Sequence, residues 1–223
     1  MSALIVGVGP GLSASFARAL ACNGYQVALA ARRTDKLAAL ASEIGATLHP
    51  CDASDPAAVA ALFAAIPTPA VVSYNASFRV RGPFIDLDPA DVAKTLSISA
   101  YGAFLVAQQA ARRMLAAGGG TILLTGASAG VKGYPQSAPF AMAKFALRGL
   151  AQSMARELHP KNIHVIHVVV DGGIRAASRP EPADQPDSLL DPDAIAATMM
   201  HALQQHRSSW TDEIAVRPWV ERF

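Results

Sequence analysis

Three short stretches carry residues whose types and spacing suit chemistry. Gly7-Val8-Gly9-Pro10-Gly11-Leu12-Ser13 is a glycine-rich turn with an apolar run before it and a helical pattern after it. Glycines in such a turn let the backbone approach a pyrophosphate, and the free amides of the following helix face that anion. A turn that is tight for purely steric reasons has the same letters. Phe140-Ala141-Met142-Ala143-Lys144 sets an aromatic ring and an ammonium on one helix face. Gly126-Ala127-Ser128-Ala129-Gly130 has the letters of a hydrolase nucleophile elbow, but a loop with Gly133 and Pro135 follows where the elbow needs a helix. His159, His164, His167, His201 and His206 lack ligand-like spacing and have no acidic cluster beside them, so no metal is expected.

These groups need a scaffold, which the hydrophobic periodicity provides. Short apolar runs predict strands at 3–8, 26–31, 46–49, 70–73, 121–125, 163–170 and 213–216. Helical patterns fall between them: the Leu12, Phe16, Leu20 face, then 34–44, 56–66, 89–117, 136–158 and 192–206. Asn23-Gly24 closes the first helix with residues suited to a left-handed cap. Alternating strands and helices imply an α/β fold, a doubly wound, mostly parallel sheet of the Rossmann type with helices on both faces. The chain, 1–223, reads as one domain. Residues 175–192, with four prolines and mixed charges, read as a mobile loop over the active-site edge.

Composition narrows the function classes. Hydrophobic residues make up 52% of 223 and charged ones 16%, which suits a compact fold rather than disorder. A formal net charge of +2 with scattered basic residues argues against nucleic acid or an anionic membrane as the main partner. Cys22 and Cys51 form neither a disulfide framework nor a Cys-x-x-Cys pair and read as reduced thiols. With no secretory pattern at the start and no run able to span a bilayer, a cytoplasmic protein is expected.

The order of motifs resembles the short-chain dehydrogenase/reductase family over nearly the whole chain. Gly7, Gly11 and Ser13 match its Gly-x-x-x-Gly-x-Gly turn, with serine at the third glycine. Asp52 in Cys51-Asp52-Ala53 is similar to the family's adenine-binding aspartate, and Asn75 in Tyr74-Asn75-Ala76 to the second asparagine of Asn-Asn-Ala-Gly. The resemblance implies an NAD(P)-binding domain in which Gly7, Gly9, Gly11 and Leu12 border the pyrophosphate. Ala31 stands where NAD binders usually carry an acid, and Arg32 and Arg33 follow, a pair suited to a ribose 2′-phosphate. NADP(H) is therefore expected over NAD(H), with Arg32 the stronger candidate; solvated surface arginines are the alternative. Gly172 and Ile174, after the sixth strand, should meet the nicotinamide.

The catalytic half departs from the pattern. The family uses an asparagine, a serine and a Tyr-x-x-x-Lys pair; here Lys144 matches the lysine, which by resemblance holds the ribose. Phe140 takes the tyrosine's place and has no hydroxyl to move a proton. The serine's spacing lands on Ala127 with Ser128 next to it, and the asparagine aligns with Ser99. Tyr134 is the first substitute donor, ahead of Tyr101 and Tyr74. Asp171 replaces the proline of the usual Pro-Gly, as a loop cap or as a carboxylate near the nicotinamide.

Two functions fit. One is an NADP(H)-dependent oxidoreductase interconverting a carbonyl and an alcohol through an atypical proton donor, acting on a small-molecule substrate. The other is a cofactor-binding protein without redox activity, serving as sensor or regulatory partner. Family habit implies a homodimer or homotetramer through 89–117 and 136–158.

Overall fold

The computed structural model describes residues 1–221. The chain runs β1 (Ser2–Val6), α1 (Leu12–Cys22), β2 (Gln26–Ala31), α2 (Ala38–Ile44), β3 (Thr47–Pro50), α3 (Pro56–Ala64) and β4 (Val71–Tyr74). It continues through α4 (Pro89–Leu96), α5 (Gly102–Ala116), β5 (Gly120–Thr125), α6 (Ala138–Leu158), β6 (Ile163–Val170), α7 (Pro192–Leu203) and β7 (Glu213–Val216). All seven strands pair in parallel in the order β3-β2-β1-β4-β5-β6-β7. This is the expected single-domain Rossmann sheet. The order reverses between β1 and β4, where such sheets open a ligand crevice at their carboxyl ends.

Strand alternation divides the core between the two faces of the sheet. Leu4, Val6, Val72 and Tyr74 pack toward α3, α5 and α6, whereas Ala3, Ile5, Val71 and Leu123 pack toward α1, α2 and α7. All eight residues of β6 are buried, as an interior parallel strand requires. Three helices begin with Asp-Pro, at Asp55, Asp88 and Asp191. In each the aspartate accepts a backbone N–H two residues on, at 2.9, 2.8 and 2.7 Å. Proline at the first helical position has no N–H to leave unpaired there. Each cap contributes about 0.5–2 kcal/mol to its helix.

The structure divides the single helix expected at 89–117. α4 passes into a π turn, Ser97–Tyr101, before α5 begins. The buried Tyr74 hydroxyl donates to the Ile98 carbonyl inside that turn, a partner no local pattern in the helix announces. The helix expected from 34 opens with a 3-10 turn, Asp35–Leu37. That expected from 136 begins at Ala138, because Gln136 sits at φ 58 and cannot continue a helix.

Candidate functional site

Two grooves meet at the carboxyl ends of β1 and β4. The larger, about 970 Å³, runs past Gly7, Gly9, Arg32, Arg33, Asp52 and Asn75. The smaller, about 530 Å³, is bounded by Thr125, Ser128, Tyr134, Phe140, Lys144 and Asp171. Asn75 and Ser77 line both, so the grooves form one continuous cleft.

The glycine turn is shaped by two constraints. Gly7 sits at φ +83 and lies so close to the next crossover that a Cβ there would meet the Ala76 nitrogen at 2.2 Å. Gly9 and Gly11 instead have nothing within 4 Å of where a Cβ would point. No side chain caps Gly11 and no acid occupies the first turn of α1, so the positive end of the helix is left for an outside anion. Leu12 is 5% exposed; its side chain belongs to the core, and only its backbone can serve a ligand. Asn75 ties the two sides of the crevice together: its Nδ2 donates to Ser13 Oγ at 2.6 Å, and its backbone N–H to the Val6 carbonyl at 2.8 Å.

At the far end of the larger groove, Arg32 and Arg33 follow β2. Across from them the Ser54 hydroxyl and amide hold one Asp52 oxygen at 2.6 and 2.9 Å. Those two hydrogen bonds, and then the nearby Arg32 charge, keep the Asp52 carboxyl below the usual range. The donor set fits a nucleotide carrying a pyrophosphate, with open glycines and helix amides to receive it, and Arg32 and Arg33 line the same groove.

In the smaller groove, Lys144 is 4% exposed and donates to the Thr125 carbonyl at 2.7 Å. Burial lowers its pKa to about 8. Its ammonium lies 5.6 Å from the centroid of the Phe140 ring, whose other cationic neighbour, the Arg79 guanidinium, is at 4.7 Å. Behind this wall, Glu213 of β7 accepts both arms of Arg148 at 2.7 Å and the His167 Nδ1–H at 2.9 Å. His167 is buried, feels the Lys144 charge, and has its pKa lowered chiefly by desolvation. Its Nε2 occupies the space a Cβ at Gly126 would need.

The structure brings most of the expected residues together, but not all. Ser128, Tyr134, Phe140, Lys144, Gly172 and Ile174 share the smaller groove. Ser99 does not reach it: fully buried, it receives the Phe78 N–H at 3.2 Å and meets Ser77 Oγ at 3.3 Å, bracing the segment after β4. Tyr74 is likewise sealed in the core, and Tyr101 lies 47% exposed outside both grooves, stacked with Phe104. Asp171 is buried at the groove wall with its carboxylate 3.6 Å from Arg217. The loop at 175–192 is anchored by Arg175, which pairs with Glu181 and Asp191 and whose N–H bonds the Leu190 carbonyl. Among the described residues no three His, Cys, Asp or Glu side chains form a metal-binding group.

Several lining residues escaped the sequence reading, Glu221 among them. Ser77 and Arg79 follow β4, Arg81 lies two residues further on, and Arg179 comes from the proline-rich loop. The alternation Arg79-Val80-Arg81 was the available signal for two of them.

Comparison with known proteins agrees with this architecture. The family model described as short chain dehydrogenase matches residues 1–184. Trans-4-hydroxycyclohexanecarboxylate dehydrogenase of Sinomonas cyclohexanicum is 34% identical over 178 residues, spanning 73% of this chain and 68% of that protein. The cyclic-di-GMP-binding biofilm dispersal mediator protein of Escherichia coli is 30% identical over 189 residues, 83% of this chain and 78% of its own. A metagenomic short-chain oxidoreductase solved in complex with NADP superposes with a TM-score of 0.84 at 28% identity, covering 99% of this chain and 98% of that one.

Proposed function

Since the chain belongs to the short-chain dehydrogenase family, we propose that it is an NADP(H)-dependent oxidoreductase that interconverts a carbonyl and an alcohol through an atypical proton donor. The observation that carries this reading is the single cleft joining Arg32 and Arg33 at one end to Lys144 at the other. In this reading Gly7, Gly9, Gly11 and the Leu12 amide take the pyrophosphate and Asp52 the adenine. Arg32 and Arg33 take the 2′-phosphate, and Gly172 and Ile174 border the nicotinamide. NADPH, when bound, supplies the hydride.

Lys144 has one N–H on the Thr125 carbonyl and two more to offer a ribose hydroxyl. Phe140 fills the place of the family's tyrosine without its proton. The hydroxyl-bearing residues of the same groove are Ser77, Thr125, Ser128 and Tyr134, and the Thr125 hydroxyl is buried, so the proton comes from one of the other three or from water they hold. Loss of a positioned acid forfeits about 10²- to 10⁴-fold in rate, which predicts a slow enzyme rather than none. The protein acts on a small molecule, in the cytoplasm, as a homodimer or homotetramer.

A second reading has an observation of its own. Phe140, Ala127 and the sealed Ser99 leave Lys144 alone among the four catalytic positions, and the Escherichia coli relative is named for binding a nucleotide. Under it, the chain binds NADP(H) as a sensor without redox chemistry. Calorimetric titration with NADPH and NADH tests the shared premise. Single-turnover oxidation of bound NADPH by a panel of aryl ketones separates the two readings. Millimolar or weaker binding of both nucleotides would overturn both.

A further inference from the structure

The smaller groove has an excess of positive charge that the cofactor reading does not use. Arg79, Arg81 and Arg179 line it beside Lys144, which that reading does use, against the carboxylates of Asp171 and Glu221. Asp171 already faces Arg217 from outside that set. Among the described residues no carboxylate lies within ion-pair distance of Arg79, Arg81 or Arg179, although each has a long side chain able to reach one.

The three guanidiniums come from two loops and converge. Arg79 is held against the Phe140 ring, its guanidinium carbon 4.7 Å from the centroid, which places its donors beside that ring. Arg179 reaches in from the proline-rich loop and packs on Gly173, with Nη1 3.4 Å from where a Cβ there would sit. The Gly82 N–H donates to the Gln136 carbonyl at 3.2 Å, tying the Arg79–Arg81 loop to the segment that leads into α6. Like charges gathered this way repel one another. Desolvation, and then Arg81 and Arg179, lower the pKa of Arg79. A bound anion relieves that repulsion, and planar forks match a carboxylate or phosphate in geometry as well as charge.

We infer that the smaller groove recognises an anionic group, carboxylate or phosphate, on the ligand, with Arg79 and Arg179 as its principal partners and Arg81 in support. This deepens the oxidoreductase reading by naming its substrate class, and rests on that reading only for the ligand's role as substrate. An anion held at Arg79 lies beside Phe140 and Lys144, so a carbonyl on the same small molecule falls where the nicotinamide is expected.

The test is calorimetry on protein saturated with NADP⁺, which cannot reduce a ketone and which covers Arg32. The probes are phenylglyoxylate, phenyl phosphate and neutral acetophenone. The expected result is at least tenfold tighter binding of one anion than of acetophenone, with the carboxylate and phosphate arms identifying which. The preference should collapse to near parity in the Arg79→Gln/Arg179→Gln variant and shrink in high salt. Equal binding of all three probes, or a preference that survives in the double variant, overturns the inference. If the double variant does not melt cooperatively, the Arg79→Gln and Arg179→Gln single variants serve instead, each expected to lose part of the preference. Repeating the phenylglyoxylate titration without nucleotide separates the two proposals. Anion preference without NADP⁺ binding sinks the oxidoreductase reading alone, and NADP⁺ binding without anion preference sinks this one alone.

Discussion

The guanidinium of Arg79 lies over the ring of Phe140, 4.7 Å from its centroid. Phe140 thus has a contact role of its own in the groove. Its face is shared by the Arg79 and Lys144 cations, and an aromatic quadrupole stabilises both where no carboxylate does. The ring joins the positive lining of the groove to the lysine expected to hold the cofactor.

Replacing Phe140 with tyrosine keeps that ring and adds the hydroxyl that the proposed reading lacks. Reduction of an accepted ketone, followed by NADPH absorbance, should accelerate at least about tenfold, with the fuller gain of about 10²- to 10⁴-fold requiring Ala127→Ser as well. No acceleration in the double variant would favour the sensor reading.

Arg32→Ala should weaken NADPH binding by about 10- to 100-fold and leave NADH nearly unchanged, as expected for charge-assisted hydrogen bonds to one phosphate. Parallel calorimetric titrations provide the measurement. Equal weakening for both nucleotides would place Arg32 elsewhere than at the 2′-phosphate.

The buried Lys144 makes cofactor-free stability depend on pH. Its folded pKa of about 8 lies below the ordinary 10.5, so the unfolded chain binds the proton more tightly and stability rises with pH through that interval. The contribution is complete above the unfolded value and is lost as pH falls toward 8. Cys51 opposes it above its ordinary 9.0, because burial raises that thiol to about 11, and Tyr74 opposes it at higher pH still. Between about pH 8 and 9 the lysine therefore stands apart from those two groups. Melting temperature should climb there in the wild type and climb less in Lys144→Met. Identical slopes would mean that the ammonium is better solvated than its burial implies.

Gly7→Ala should destabilise the fold by about 2–4 kcal/mol, combining a left-handed backbone with overpacking against Ala76. Gly9→Ala, with open space beside it, should leave the melting temperature close to the wild type while weakening nucleotide binding. A thermal melt of each variant checks the contrast.

The parts of this architecture that depend on short spacings were legible in the sequence. β2, β6 and β7 fall at the expected residues, and the Asp-Pro pairs mark where α3, α4 and α7 begin. Asn75 and Lys144, which the sequence singled out, line the cleft. What could not be read depends on distant partners. The π turn follows from the Tyr74 hydroxyl reaching Ile98, the exclusion of Ser99 from the groove follows from its bonds to 77 and 78, and Arg179 enters from a loop whose path no periodicity encodes. An isolated arginine in a proline-rich stretch looks the same in sequence whether it faces solvent or a cleft.

The carboxylate of Glu213 has a consequence for the order in which the molecule comes together. It stands on β7, the last of the described strands to be synthesised, and it is the carboxylate bonded to Arg148 and His167. Until β7 docks on β6, the wall behind Lys144 holds a guanidinium and an imidazole without their acceptor. The electrostatic setting behind Lys144 therefore depends on an edge strand distant in sequence, and a chain truncated before Glu213 would leave Arg148 and His167 without that acceptor.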